Sequence, residues 1–367
     1  MNKRIFKNLD YGILICTIIL LAIGITALYS ATQSAGMQEF KKQIIWICIS
    51  IPIMIIIIFI DYESIAKISP ILYGGILIAL VVVLFMEPIS GATSWFNIKS
   101  VSIQPSEFAK IIVIIFLAYY ISRIQEKGKD QISRITRILI ALAIVGVPVI
   151  LIVMQPDYGT ALAFIIATIL MLFTAGIKKR YIITGLLLVI ILLPVMYFFV
   201  LPQHAKTRID VFLNPNLDPR GAGYNIIQSK LAIGSGEFFG MGLLKGNQTQ
   251  LGFLYPKTTD FIFAVIGEEM GFVVAAVVIV AYVILITRSI YIAKTAKDTL
   301  GSCIAIGICG IFIFHMIENI GMTMGLLPIT GVPLPFVSYG GSSMLTNLIM
   351  IAILLNISGR RKKTIFS

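Results

Sequence analysis

Residues 11–31, 43–60, 68–86, 138–154, 181–201 and 335–357 carry no charged side chain, and each run is long enough to cross the hydrocarbon core of a bilayer as a helix. Four more stretches, 104–122, 157–177, 261–287 and 301–322, are mostly apolar and of similar length. Composition agrees, with 58% hydrophobic and 13% charged residues, against about 25% charged in soluble proteins. The expected fold is all-α and integral to a membrane, with ten transmembrane helices in one polytopic domain, residues 1–367. The first run is too long for a signal peptide, and no small-residue cleavage pattern follows it.

Orientation follows from where Lys and Arg fall. With the N-terminus inside, the cytoplasmic side holds Lys3, Arg4, Lys7, Lys67, Arg123, Lys127, Lys129, Arg134, Arg137, Lys178, Lys179, Arg180, Arg288, Lys294, Lys297, Arg360, Arg361, Lys362 and Lys363. The opposite short loops hold Lys41, Lys42 and Lys99. Nineteen against three places both termini in the cytoplasm under the positive-inside rule. The net charge of +12 is then a topology signal and an attraction to anionic membrane lipids, not a nucleic-acid footprint. Cys16, Cys48, Cys303 and Cys309 lie in apolar runs without metal or redox spacing and read as small packing residues.

The large interruption, 202–260, falls outside the membrane between the seventh and eighth helices. It is rich in Gly but also in Phe, Leu and Ile, which argues for an ordered external loop. Within it, YNIIQSKLAIGSGEFFGMGLL reads as an interfacial helix followed by tight turns.

Candidates for chemistry are the polar groups that the apolar runs tolerate, because a charge at membrane depth is costly. QPSEFAK (104–110) and QPDYGTA (155–161) both open runs that head inward from the outer face, and Asp157 reads as a helix cap. Glu107 and Lys110 share one helical face. They either form a buried pair that fixes packing or line a polar cavity in which Lys110 meets an anionic group. His315, Glu318 and Asn319 fit an interhelical hydrogen-bond cluster better than a metal face. Proline and glycine break LPITGVPLPFVSYGGSS (327–343), which lines either the same external cavity or an ordinary turn. In YPKTTDFIFAVIGEEMG (255–271), Asp260 starts a face that continues through Ala264, Gly267, Glu268 and Gly271. Asp260 is either a helix-start acid or a catalytic carboxylate at the water boundary, with Glu268 and Glu269 as polar packing or gating below.

RIDVFLNPNLDPRGAGYNIIQSKLAIGSGEFFGMGLLKGNQTQLGFLYPKTTDFIFAVIGEEMGF (208–272) resembles the SEDS family, the shape, elongation, division and sporulation proteins. GATSW, QPSEFAK, QPDYGT and GVPLPFVSYGGSS match further motifs in order, so the resemblance covers essentially the whole chain. GNQTQLGF and the short tail look more like the elongation members than the division or sporulation members. The resemblance implies a peptidoglycan glycosyltransferase acting on lipid II, a disaccharide-pentapeptide on a polyprenyl pyrophosphate, at the outer face of the bacterial cytoplasmic membrane. It places the catalytic aspartate of TDFIF at Asp260, the functional Glu and Lys of QPSEFAK at Glu107 and Lys110, and the tryptophan of GA-x-x-W at Trp95. Gln104, Arg208, Lys230 and Ser338, from the same matched motifs, complete the expected substrate-binding set. Ser94 stands where the family usually has Arg, and Lys257-Thr258 where it has an acidic residue and His. The implied partners are a class B penicillin-binding protein, which is a transpeptidase, and other membrane proteins of the elongation complex. No cofactor is required by these motifs, and without an Asp-rich cluster a divalent cation stays open.

Sugar polymerisation needs a base for the attacking hydroxyl and cations for the leaving pyrophosphate. Asp260, Lys110 and Arg208 would supply them. The competing reading is a flippase for lipid-linked precursor, with Glu107, Lys110, His315, Glu318 and Glu268 along its path. A scaffold that activates a transpeptidase is a third reading, compatible with the first. Clustering of the motifs at the outer face favours the polymerase. A cysteine at Gly221 is expected to react with impermeant thiol reagents added to whole cells, and one at Lys129 is not. The reverse labelling pattern would overturn the orientation.

Overall fold

The computed structural model describes residues 8–87, 93–98, 101–200, 203–214, 217–219 and 221–361. Lys3, Arg4, Lys7, Lys99, Lys362 and Lys363 of the orientation argument, and Gly91 and Ala92 of GATSW, lie outside the described residues.

The chain opens with three helices, α1 (Tyr11–Thr32), α2 (Gln38–Phe59) and α3 (Tyr62–Val83). A small antiparallel hairpin follows, β1 (Phe96–Ile98) on β2 (Val101–Ile103), with Phe96 opposite Ile103. Next come α4 (Pro105–Gln125), α5 (Ile135–Met154), α6 (Tyr158–Thr174) and α7 (Lys179–Val195). The connecting region folds as α8 (Gln203–Leu213), α9 (Ala222–Ser235) and a short α10 (Asn247–Gln250). The chain ends with α11 (Ile262–Thr295), α12 (Thr299–Thr323) and α13 (Gly341–Gly359).

Every expected apolar run is helical. Seven of these helices, α1, α2, α3, α5, α11, α12 and α13, are long and apolar enough to cross a membrane. Among the rest, α4 carries Glu107, Lys110 and Arg123, while α6 and α7 span 17 residues each. The architecture is that of a multi-pass membrane protein. Several boundaries differ from expectation, with α2 and α3 beginning earlier, at Gln38 and Tyr62, and α7 ending at Val195. The last helix starts at Gly341, not near 335, because Pro333 and Pro335 cannot donate to a helix and Phe336 sits at φ 67°. The eighth run continues as α11 to Thr295, beyond the expected 287.

Side-chain oxygens start several helices. Asp10, Asp61, Asp157 and Asp298 each accept a backbone N–H in the first turn of α1, α3, α6 and α12. Burial then orders the bundle. In α12 and α13, 67% and 83% of the membrane-length window is buried, against 22% in α2 and α3, so α12 and α13 are the central helices. Isoleucines such as Ile49, Ile56, Ile71 and Ile78 point outward on the peripheral helices, as expected where the solvent is lipid.

The α11 helix is not continuous. Gly271 at φ 75° and ψ −176° breaks it and frees backbone groups on both sides. Segment 237–242 satisfies them. Met241 N donates to Glu268 O at 2.9 Å and Gly242 N to Glu269 O at 3.0 Å, while Phe272 N donates to Glu237 O at 2.9 Å and Val273 N to Phe238 O at 3.2 Å. The helix expected within YNIIQSKLAIGSGEFFGMGLL is α9, and the turns after it dock into the break. That docking is close enough to exclude side chains: a Cβ on Gly240 would lie 2.2 Å from Glu269 O, and Gly240 holds φ 80°. Gly240→Ala is therefore expected to destabilise the solubilised protein by about 2 kcal/mol or more. Gly74→Ala, where an added Cβ meets nothing within 4 Å, should leave the melting temperature nearly unchanged. Equal melting of the two variants would contradict this account of the break.

Candidate active site

Polar side chains on one face of α12 organise the end of the bundle that holds Asp260. His315 Nδ1 lies 3.0 Å from Pro333 O, a pure acceptor, so Nδ1 carries the proton. The lone pair of Nε2 then faces Lys110 Nζ at 3.2 Å. One turn on, the Asn319 amide donates to Asp260 O at 2.9 Å and to Val332 O at 2.8 Å. Between them, Glu318 accepts from Thr330 Oγ1 at 2.8 Å. The expected hydrogen-bond cluster is thus present, and it holds the proline-broken segment 329–333 beside the Asp260 turn.

Asp260 sits just ahead of α11, partly exposed at its own surface but set into a wall of protein. Gly331 is the near neighbour of its carboxylate, since a Cβ there would lie 3.5 Å from Oδ2. The turn is tied from the other side by Ser338, whose Oγ donates to Thr259 O at 2.6 Å and accepts from Leu334 N at 2.8 Å. Tyr339 N donates to Thr258 O at 2.9 Å, and Gln43 of α2 brackets the same segment through Ser338 O and Gly340 N. Burial raises the Asp260 carboxyl above its ordinary value, while a hydrogen bond from Thr259 and the charge of Arg208 pull it part-way back.

Glu107 and Lys110 pair at 2.9 Å and are almost fully buried. Glu107 Oε2 also accepts from Thr346 Oγ1 of α13 at 3.0 Å. Lys110 exposes none of its surface, so in this structure it is enclosed between Glu107 and His315 rather than set in an open cavity wall. The two QP motifs meet. Gln104 Nε2 donates to Asp157 Oδ2 at 3.1 Å, while Asp157 Oδ1 caps α6 by accepting from Thr160 N at 3.1 Å. Gln104 N donates to Ser342 Oγ of α13 at 3.2 Å.

Other expected site residues lie further out. Arg208, exposed on α8, donates to Ile329 O at 3.3 Å and so reaches the segment next to Asp260. Lys230 of α9 lies over Gly325, where a Cβ would fall 2.6 Å from Nζ. Trp95 precedes β1 and is half-buried, and among the described residues no hydrogen bond joins it to Asp260 or Lys110. Ser338 is buried, and its single proton is committed to Thr259 O. Glu268 and Glu269 do not face each other's neighbours at random. Glu268 accepts from Gln248 N at 2.6 Å, Thr249 N at 3.0 Å and Thr249 Oγ1 at 2.6 Å. Glu269 accepts from Gln250 Nε2 at 2.8 Å, Leu244 N at 3.3 Å and Gly246 N at 3.4 Å. Both carboxylates therefore anchor the 244–250 turn. Lys257 secures its far end through Thr249 O at 2.7 Å, and burial lowers the Lys257 ammonium below its ordinary value.

Residues 11–363 match the family model FtsW/RodA/SpoVE, described as cell cycle protein. The chain belongs to the FtsW/RodA/SpoVE family. Among curated relatives, peptidoglycan glycosyltransferase MrdB of Escherichia coli is 37% identical over 98% of this chain and 97% of its own length. Peptidoglycan glycosyltransferase RodA of Treponema pallidum is 32% identical, covering 98% of this chain and 100% of its own. A solved structure described as the structural coordination of polymerization and crosslinking by a peptidoglycan synthase complex superposes with a TM-score of 0.83, at 25% identity over 95% of this chain and 97% of that one. The crystal structure of Thermus thermophilus RodA shares the fold, with a TM-score of 0.73 at 24% identity over 97% and 98% of the two chains.

As a FtsW/RodA/SpoVE protein, the chain brings its separate motifs to one place. QPSEFAK supplies Glu107 and Lys110, QPDYGT supplies Asp157, TDFIF supplies Asp260, and GVPLPFVSYGGSS supplies the carbonyls that α12 holds. The link of Asn319 to Asp260 is one that the sequence does not show. The i, i+4 spacing of Asn319 from His315 is visible, but its partners are backbone carbonyls and so leave no mark in side-chain patterns. The Glu107–Lys110 pair has a definite energetic signature. Lys110→Met or Glu107→Gln alone strands a buried ion and is expected to cost about 3–5 kcal/mol. The double variant should melt above either single variant in detergent, and a double variant less stable than both would contradict the pairing.

Proposed function

We propose that the protein is a peptidoglycan glycosyltransferase that polymerises lipid II at the outer face of the cytoplasmic membrane, with Asp260 as general base. The proposal takes the chain as one polytopic unit with ten crossings, both ends in the cytoplasm, and residues 202–260 outside. Its main support is the setting of Asp260. A carboxylate lies directly above a membrane helix, fixed from both sides through Asn319 and Ser338, with its basicity raised by burial. The naming of the relatives as peptidoglycan glycosyltransferases supports the reaction class.

In this mechanism the acceptor hydroxyl passes its proton to the Asp260 carboxylate as its oxygen bonds to the donor's anomeric carbon. The bond from that carbon to the pyrophosphate oxygen breaks, and the pyrophosphate leaves with the electron pair. A base matched to its task lies nearer neutrality than an ordinary carboxylate, and burial moves Asp260 in that direction. Arg208 is the cation whose charge Asp260 feels, so it also suits the departing anion. Lys110 acts through His315, as a positioning residue for the 332–333 carbonyls, and Ser338 positions the Asp260 turn. Gln104, Trp95 and Lys230 border the same outer end as further substrate-binding candidates. The relative in the peptidoglycan synthase complex supports a class B penicillin-binding protein as partner.

Asp260→Asn is expected to lower polymerisation of purified lipid II by about 100-fold or more while leaving expression and melting nearly unchanged. A near-normal rate in that variant would remove the general-base role.

The pH profile gives an independent check. Only the ionised carboxylate accepts the proton, so activity should fall as pH drops through a value above the ordinary Asp range. Arg208→Gln removes the charge that lowers this value and should move the acid limb further up. A limb that stays put, or moves down, would separate Arg208 from the base.

A further inference from the structure

At the opposite end of α11 from Asp260, two arginines converge on one tyrosine. The Arg288 guanidinium carbon lies 5.7 Å from the centre of the Tyr291 ring, and that of Arg361 lies 5.8 Å from the same ring. Lys294 stands exposed one turn further along α11. Asp10 is the one acid paired with this group among the described residues, at 2.9 Å from Arg288 Nε. Like charges are thus gathered on a half-exposed aromatic with one carboxylate to offset them.

The same face of α11 continues into the apolar layer. Val273, Val277, Val280 and Ile284 repeat at helical spacing in line with Tyr291, and each is between 40% and 55% exposed. From Val273 to Ile284 the ridge rises about 16 Å, close to half of the roughly 30 Å hydrocarbon core. Arg288 and Lys294 flank the ridge at its end, so the face reads as one acyl-chain track closed by a cationic head. Gly12 permits the close approach of Arg288 to α1, since a Cβ there would meet Arg288 Nε at 3.0 Å.

We infer that Arg288, Tyr291, Lys294 and Arg361 form a binding site for one anionic phospholipid, its phosphate between the two arginines and its chain along the Val273–Ile284 ridge. Charge selects the ligand. A zwitterionic headgroup carries its own cation and would leave the arginines unbalanced, whereas an anionic headgroup neutralises them. A single leaflet's depth of exposed apolar ridge sets the ligand as a lipid rather than a soluble anion. With the orientation proposed above, the site faces the inner leaflet, across the membrane from the chemistry.

The test is native mass spectrometry of the full-length protein in micelles doped with equal amounts of dioleoyl phosphatidylglycerol and dioleoyl phosphatidylcholine. The wild type should retain phosphatidylglycerol in preference. Lys294→Gln with Arg361→Gln keeps the Asp10–Arg288 pair and should reduce that preference by about 25-fold, taking about fivefold per charge. Inorganic phosphate should not displace the lipid, and Asp260→Asn should bind it like the wild type. Equal retention of the two lipids, an unchanged preference in the double variant, or displacement by inorganic phosphate overturns the inference. Binding is read without lipid II, so a failure here leaves the proposed reaction standing, and an inactive polymerase would leave this site standing.

Discussion

The amide of Asn319 donates to the carbonyls of Asp260 and Val332, and much of that end of the bundle depends on the bridge. Backbone that leaves the helical path near a membrane keeps its hydrogen-bonding needs, and lipid satisfies none of them. Segment 327–340 and the turn ahead of α11 are both irregular. They survive because α12 supplies His315, Glu318 and Asn319 from within, while Ser338 and Gln43 close the other side. The break in α11 follows the same rule with a different partner, the backbone of 237–242.

That requirement sorts the acids by partner. Glu268 and Glu269 are surrounded by N–H and O–H donors of the 244–250 turn and serve as anchors. Glu107 is neutralised by Lys110 and bonded by Thr346, which fits a brace between α4 and α13. Asp157 caps α6 and receives Gln104. Asp260 differs from these in that Asn319 holds its backbone carbonyl, while its carboxylate accepts from its own neighbour Thr259 and lies beside the small residue Gly331. A carboxylate placed by its main chain and an adjacent residue, next to a position without a side chain, has room for an incoming group.

Much of this was legible in the sequence, for physical reasons that can be named. Uncharged runs such as 11–31 and 138–154 announce helices because apolar length is the signal that lipid selects. Asp157 was readable as a cap because capping is local. The motif around Asp260 and the family were readable from long matches in fixed order. What remained hidden depends on distant backbone. The sequence does not reveal that Asn319 seeks the Asp260 carbonyl, that Lys110 is enclosed by His315, or that Ser338 gives its proton to Thr259 O. Nor did it place the start of α13, where Pro335 accepts from the Tyr282 hydroxyl and holds the chain out of a helix. These are contacts between elements far apart in the chain, and no periodicity encodes them.

The walls around Asp260 are tied down unequally. Segment 331–338 lies against Gly24 of α1 and Gly159 of α6, where an added Cβ would fall 2.6 Å from Val337 Cα and 2.2 Å from Val332 Cγ2. With Gln43, Asn319 and Tyr282 it is wedged among five helices. On the other side, α8 reaches this region through Arg208 and Ile329, while α9 meets α12 through Ser229 and Thr323 and presses on α11, where a Cβ on Gly236 would lie 1.8 Å from Gly267 O. Glycines at 24, 159 and 236 therefore set the width of the space beside Asp260, because each is a point where two backbones or a backbone and a side chain touch without a Cβ between them. A methyl group at any of these three points would act as a shim and move a wall.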